Sequence, residues 1–237
     1  MKQIILCVLV SIISISPLIG QQVAKKAVIS QSKEIVYLLY EPLGGEVNNA
    51  EKLPLLLFLH GGGESGNNIE LVKRHGPPQL VDHGMQFPFY ILSPQNQETT
   101  RFWDESIVIC LLDSIINTYP IDTARIYIAG ISRGAYGAWR LVIQYSDKFA
   151  ALIAISGSAP SPYAKWIGQL PIWAFHGIDD PVIPVSETKQ MVKSLKKCGY
   201  NPKMTLYKKT GHDAWTRTFS NPEVFEWMLR QKKQPKN

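Results

Sequence analysis

From Lys33 onward the chain alternates short apolar runs with longer amphipathic segments. Residues 34–40 alternate loosely between apolar and polar positions and predict an outer strand. Pro54–Leu59 (PLLLFL) is continuously apolar, as a strand covered on both faces requires, and it ends abruptly in His60-Gly61-Gly62-Gly63. Phe87–Ser93 (FPFYILS) predicts another strand, closed by Pro94. Trp103–Tyr119 places Ile107, Cys110, Leu111, Ser114, Ile115 and Thr118 at helical spacing, and Pro120 stops it. Strands follow at Arg125–Ala129, Ala150–Ile155, Pro171–Phe175 and Lys203–Tyr207. Helices are expected at Gly134–Tyr145, at Ser186–Lys197 with Gly199 beyond its end, and at Pro222–Arg230.

This alternation implies an α/β fold, a mainly parallel sheet with helices on both faces. In such sheets the reactive residues gather on loops at the carboxyl ends of the strands. With 237 residues, 45% of them apolar, and no internal repeat or linker-like tract, residues 21–237 are expected to form a single domain.

Residues 1–20 differ in character. Lys2 supplies a positive start and Ile4–Ile19 carries no charge, which reads as a signal peptide. A membrane anchor is the alternative, but Ser11, Ser14, Ser16 and Pro17 break a run that is already short. No other segment is long and apolar enough to span a bilayer, so the domain is expected to be exported, to the periplasm or the extracellular space. Export permits a disulfide between Cys110 and Cys198, although both fall in helix-like segments where buried free thiols are the plainer reading. No Cys/His spacing resembles a zinc site, and neither metal nor organic cofactor is expected. The net charge of +6 owes much to Arg230, Lys232, Lys233 and Lys236. Basic residues form no stripe interleaved with aromatics, so a nucleic-acid partner is not expected.

Gly130-Ile131-Ser132-Arg133-Gly134 fits G-x-S-x-G between a β-branched strand and a helix. A strand turning straight into a helix holds the central serine at a sharp elbow, where larger flanking residues would collide with neighbouring backbone. Ser132 is therefore the candidate nucleophile. A serine hydroxyl needs a base to take its proton. Of the two histidines that follow, His176 and His212, only His212 has a carboxylate-bearing loop between itself and Ser132. His212 is the candidate base, and His176 is expected to pack within its own loop. Asp180 is favoured over Asp179 as the acid because Pro181 fixes the backbone behind it. Backbone N–H groups of Arg133 and Gly62, with Gly63 next, are the candidate oxyanion donors. The Arg133 side chain is expected to point away from the pocket, and His60 to be structural. Trp103, Trp166 and Trp215 are candidate pocket walls, and Asp104 a helix cap.

The motifs His60-Gly61-Gly62-Gly63, Gly130-Ile131-Ser132-Arg133-Gly134, His176-Gly177-Ile178-Asp179-Asp180-Pro181 and Gly211-His212 occur in the order found in the α/β-hydrolase superfamily. The chain most resembles its compact secreted phospholipase/carboxylesterase-like members, neighbours of the feruloyl and acetyl-xylan esterases and polyhydroxybutyrate depolymerases. Ser93-Pro94-Gln95 and Trp215 fit the same group. The resemblance implies an α/β-hydrolase fold and a serine hydrolase acting on small-molecule or polysaccharide esters. Only a minimal lid, at Pro160–Gln169, is expected. A serine peptidase on the same machinery and a catalytically silent carbohydrate-binding protein are the competing readings.

Overall fold

The computed structural model describes residues 20–30, 33–43 and 52–233. The expected signal peptide thus lies outside the described residues except for Gly20. Eight strands form one sheet in the order β1-β2-β4-β3-β5-β6-β7-β8. They are β1 (Gln21–Ser30), β2 (Lys33–Glu41), β3 (Leu53–Leu59), β4 (Tyr90–Pro94), β5 (Ile121–Ile131), β6 (Ala151–Ile155), β7 (Ile172–Gly177) and β8 (Lys203–Tyr207). The six from β4 to β8 run parallel, whereas β2 pairs antiparallel with β4 and with β1.

The apolar runs occupy the middle. Leu55 to Leu59 of β3 and Ala151 to Ile155 of β6 are all buried, because each residue there meets a helix layer on one face or the other. Helices α2 (Glu105–Thr118), α3 (Arg133–Gln144) and α4 (Val185–Lys197) cover one face. Three more, α1 (Gly76–Asp82), α5 (Trp215–Phe219) and α6 (Pro222–Leu229), cover the other. Met191 and Leu195 of α4 enter the first layer, and Phe219, Val224 and Met228 the second. The α2 start is capped by Asp104, whose carboxylate accepts from the backbone N–H groups of Ser106 and Ile107.

The outer strand differs from the expectation. The β2 strand lies one place in from the edge, and β1 covers it. The sequence of β1 is mostly exposed or half-buried, with Val28 pointing out and Ala27 and Ile29 packing on the core, so it carries no clear apolar run. Helices α1 and α5 are too short to show a helical period. Cys110 and Cys198 are both free and exposed, which corrects the expectation of buried thiols. Helix α2 buries Val108, Ile109, Leu111, Leu112 and Ile115, a face displaced from the one first expected, and this turns Cys110 outward.

Candidate active site

Ser132 sits between β5 and α3 with φ 51 and ψ −120. That left-handed backbone is costly for a residue with a Cβ. It persists because the elbow is held on both sides: the Ser132 N–H donates to Ile155 O at 2.9 Å, and Ser132 O accepts from the Ala135 N–H at 2.9 Å. The two glycines of the motif have a steric cause. A Cβ on Gly130 would lie 2.2 Å from Gly134 O, and one on Gly134 would lie 2.0 Å from Leu59 O. Strand, elbow and helix can approach this closely only without side chains at those positions.

The structure brings Ser132, His212 and Asp180 together. Ser132 Oγ lies 2.8 Å from His212 Nε2, and His212 Nδ1 lies 2.8 Å from Asp180 Oδ2. A carboxylate only accepts, so Nδ1 carries the ring proton and Nε2 is left to accept from the serine hydroxyl. The Asp180 carboxylate is fully buried, whereas the His212 ring keeps 21% exposure. Burial alone would raise the Asp180 pKa. Hydrogen bonds from His212 and from the Ile183 and Val182 N–H groups outweigh that cost and hold it below the ordinary aspartate value. Those two N–H groups, from the residues that directly follow Pro181, bind Oδ1 at 3.0 and 2.8 Å. Asp179 points to solvent.

The contacts around these residues were not foreseen. His176 is fully buried, with Nε2 3.1 Å from Asp180 Oδ2 and 3.0 Å from Ile183 O. Its Nδ1 lies 2.8 Å from Thr188 Oγ1. A carbonyl acceptor at Nε2 and a hydroxyl at Nδ1 assign the proton to Nε2. The motif position signalled a structural histidine but gave no sign that it reaches the acid. Ser156, at the end of β6 with φ 51, donates its hydroxyl to His212 O at 2.9 Å and so pins the histidine loop. The loops of Asp180 and His212 also touch directly, since a Cβ on Gly177 would lie 2.0 Å from Gly211 O. Tyr136, one helical turn beyond Ser132, donates to the Glu187 carboxylate and lies edge-on to half-exposed Phe102. Burial, the Glu187 hydrogen bond and the charge of Asp180 all push its phenol pKa up.

On the opposite side lies the glycine loop. A Cβ on Gly61 would sit 3.5 Å from Ser132 Cβ, so the Gly61–Gly62 segment runs beside the serine. The Arg133 side chain does not leave the site as expected. It folds back across Gly62, where a Cβ would meet its guanidinium at 3.0 Å, and Nη1 donates to Thr99 O at 2.7 Å. Gly63 has open space where a Cβ would stand. His60 is buried, accepts from the Asn96 N–H at Nε2 and donates from Nδ1 to Gly61 O. Burial drives its pKa down to about 4, the Gly61 carbonyl opposes this, and Arg133 adds to it. His60 is thus a neutral strut beneath the loop.

The three tryptophans separate. Trp215 lies edge-on to His212, with ring centroids 5.2 Å apart, and meets His75 at 5.5 Å. Trp103 is buried beneath the glycine loop against His60 and also lines a cavity of about 370 Å³ with Gln95, Asn96, Arg101 and Phe102. Trp166 is half exposed, and its ring contacts are with Tyr163 and Lys165. Trp166 belongs to a short 3-10 segment, Ser161–Trp166, that packs against α4. Of the three, Trp215 is the one whose ring meets a member of the Ser132, His212 and Asp180 set. No group of three or more metal-ligating side chains occurs among the described residues.

Comparison with known proteins agrees with this architecture. A thermostable esterase structure superposes with a TM-score of 0.76 at 30% identity, covering 90% of this chain and 63% of that one. A bifunctional acetylxylan esterase/xylanase of Neocallimastix patriciarum is 26% identical over 68% of this chain, which spans only 26% of that longer protein. Acyl-protein thioesterase 1 of Gibberella zeae is 22% identical, over 77% of this chain and 92% of its own length. Residues 46–225 match the phospholipase/carboxylesterase family. The chain belongs to that family of α/β-hydrolases.

Proposed function

We propose that this protein hydrolyses carboxylic esters by two-step acyl transfer, with Ser132 as nucleophile, His212 as general base and acid, and Asp180 as the group that orients His212. The observation that carries the reading is the unbroken proton path from Ser132 Oγ to His212 Nε2 and from His212 Nδ1 to Asp180. Ser132 attacks the ester carbonyl as His212 takes its proton, and the imidazolium that forms is stabilised by the buried Asp180 carboxylate. Backbone N–H groups of Arg133 and Gly62 hold the oxyanion. His212 then protonates the leaving alcohol, and water releases the acyl group by the same steps in reverse.

Residues 1–20 are read as a signal peptide, which makes the enzyme exported, periplasmic or extracellular. Acyl or feruloyl esters on polysaccharide are the substrates that fit that location, and the acetylxylan esterase relative supports this choice. The likeness to acyl-protein thioesterases supports thioesters as a second class handled by the same groups.

Labelling of Ser132 by a fluorophosphonate probe, with loss of labelling in Ser132→Ala, tests the mechanism. Rates on acetyl, octanoyl and feruloyl esters, on an octanoyl thioester and on short peptide anilides rank the substrates. Faster anilide than ester cleavage rejects the esterase reading in favour of a peptidase, and an unlabelled folded protein favours a silent binding role.

A further inference from the structure

The glycine loop carries a carboxylate that the acyl-transfer steps do not use. Glu64 is only 5% exposed, and the basic groups beside its carboxylate lie beyond hydrogen-bond distance. The nearest basic groups are His75 Nε2, 3.6 Å from Oε1, and His60 Nδ1, 3.9 Å from Oε2. His60 directs its proton to Gly61 O instead. The two ring nitrogens thus stand at ion-pair distance without closing a hydrogen bond, which leaves the carboxylate oxygens open to a further donor.

Its position says what that donor belongs to. A Cβ on Gly61 would lie 3.2 Å from Glu64 Oε2 and 3.5 Å from Ser132 Cβ, so carboxylate and nucleophile flank the same α-carbon. The other carboxylate oxygen faces His75, whose side chain keeps 36% exposure and packs on Trp215, the residue edge-on to His212. Glu64, His75 and Trp215 thus form a continuous wall from the serine loop to the ring of His212. In the acyl-transfer reading, His212 delivers its proton to the leaving alcohol, so this wall lies beside the alcohol and not the acyl chain.

We propose that Glu64 and His75 form a subsite for a hydroxyl group of the leaving alcohol, one carbon or so removed from the ester oxygen. A hydroxyl both donates and accepts, and the pair offers a carboxylate to receive its proton and an imidazole N–H to meet its lone pair. The substrate class is esters of polyhydroxylated alcohols, such as sugars. The inference rests on the esterase reading above.

A matched pair of esters tests it: trans-2-hydroxycyclohexyl acetate and cyclohexyl acetate, which differ by one hydroxyl. Wild type is expected to prefer the hydroxylated ester in kcat/KM by about tenfold or more, the size of one hydrogen bond to a charged group. Glu64→Gln and His75→Phe, the latter keeping a ring against Trp215, are each expected to cut that preference about tenfold. Free trans-1,2-cyclohexanediol should inhibit wild type more strongly than either variant. Should Glu64→Gln fail to fold, as judged by its thermal melt, His75→Phe carries the comparison. Equal losses on both esters, or no preference in wild type, overturn the subsite. Wild type inert toward both esters and toward p-nitrophenyl acetate would instead remove the esterase reading.

Discussion

His176 reaches the same oxygen of Asp180 that holds the base: its Nε2 lies 3.1 Å from Oδ2, where His212 Nδ1 lies at 2.8 Å. The Asp180 carboxylate is therefore held by hydrogen bonds from His212 and two backbone N–H groups, with the His176 ring packed alongside, and its side chain is closed to solvent. Because His176 lies against Asp180 and not Ser132, the proposed mechanism makes it a positioning residue. Replacing it with alanine should lower kcat by about tenfold while KM changes little, as steady-state rates on p-nitrophenyl acetate will show. A rise in KM with kcat intact would mean that His176 shapes the binding cleft instead.

Asp180→Ala should reduce kcat by about 10⁴-fold, since the imidazolium loses its orientation and its counter-charge together. Asp179→Ala, at an exposed side chain, should change it less than about threefold. The reverse ranking would reassign the acid. The depressed Asp180 pKa also has a sign for stability. Its contribution is present above about pH 4, where free aspartate ionises, and is lost as pH falls through the depressed value. Thermal melts of wild type and Asp180→Asn should converge as the pH falls below about 4.

His60 works in a different window. Its pKa falls from 6.5 to about 4 in the folded protein, so between these values the unfolded chain binds the extra proton. Stability should be complete above about pH 6.5 and decline toward pH 4, by on the order of 3 kcal/mol from this residue. Melting temperatures across that range should flatten in His60→Gln, after allowance for its lower starting stability.

The elbow glycines give a structural test. Gly134→Val would place a side chain 2.0 Å from the Leu59 carbonyl, a clash with backbone that no rotamer relieves. We expect a loss of several kcal/mol, or failure to accumulate folded protein, measured by urea unfolding.

Exposed Cys110 and Cys198 should both react with a thiol reagent in the native protein lacking residues 1–20. A reductant should leave its melting temperature unchanged. Fewer than two reactive thiols would reopen the question of a disulfide.

The apolar runs made the central sheet legible, because β3 and β6 are buried on both faces and must be continuously apolar to be so. The meeting of Ser132, His212 and Asp180 at one end of the sheet was legible too, as chain order and strand-end position left few candidates. What escaped was of two kinds. The β1 strand is half-solvated and helices α1 and α5 are brief, so their patterns do not rise above noise. Ser156, Glu64 and the His176 contact with Asp180 depend on loops from different strands meeting, which spacing along the chain does not encode. Trp103 and Trp215 look alike in sequence, and only packing sends one under the glycine loop and the other to His212.

The bare approach of Gly177 to the Gly211 carbonyl leaves no slack between the turn bearing Asp180 and the turn bearing His212. In the proposed mechanism Asp180 and His212 are thus seated against each other in advance, and little reorganisation remains for binding to drive. A methyl group at position 177 would act as a wedge, spreading the two turns while most of the sheet stayed intact. Such a variant should lose turnover and stability together, because the wedge presses on backbone carbonyls.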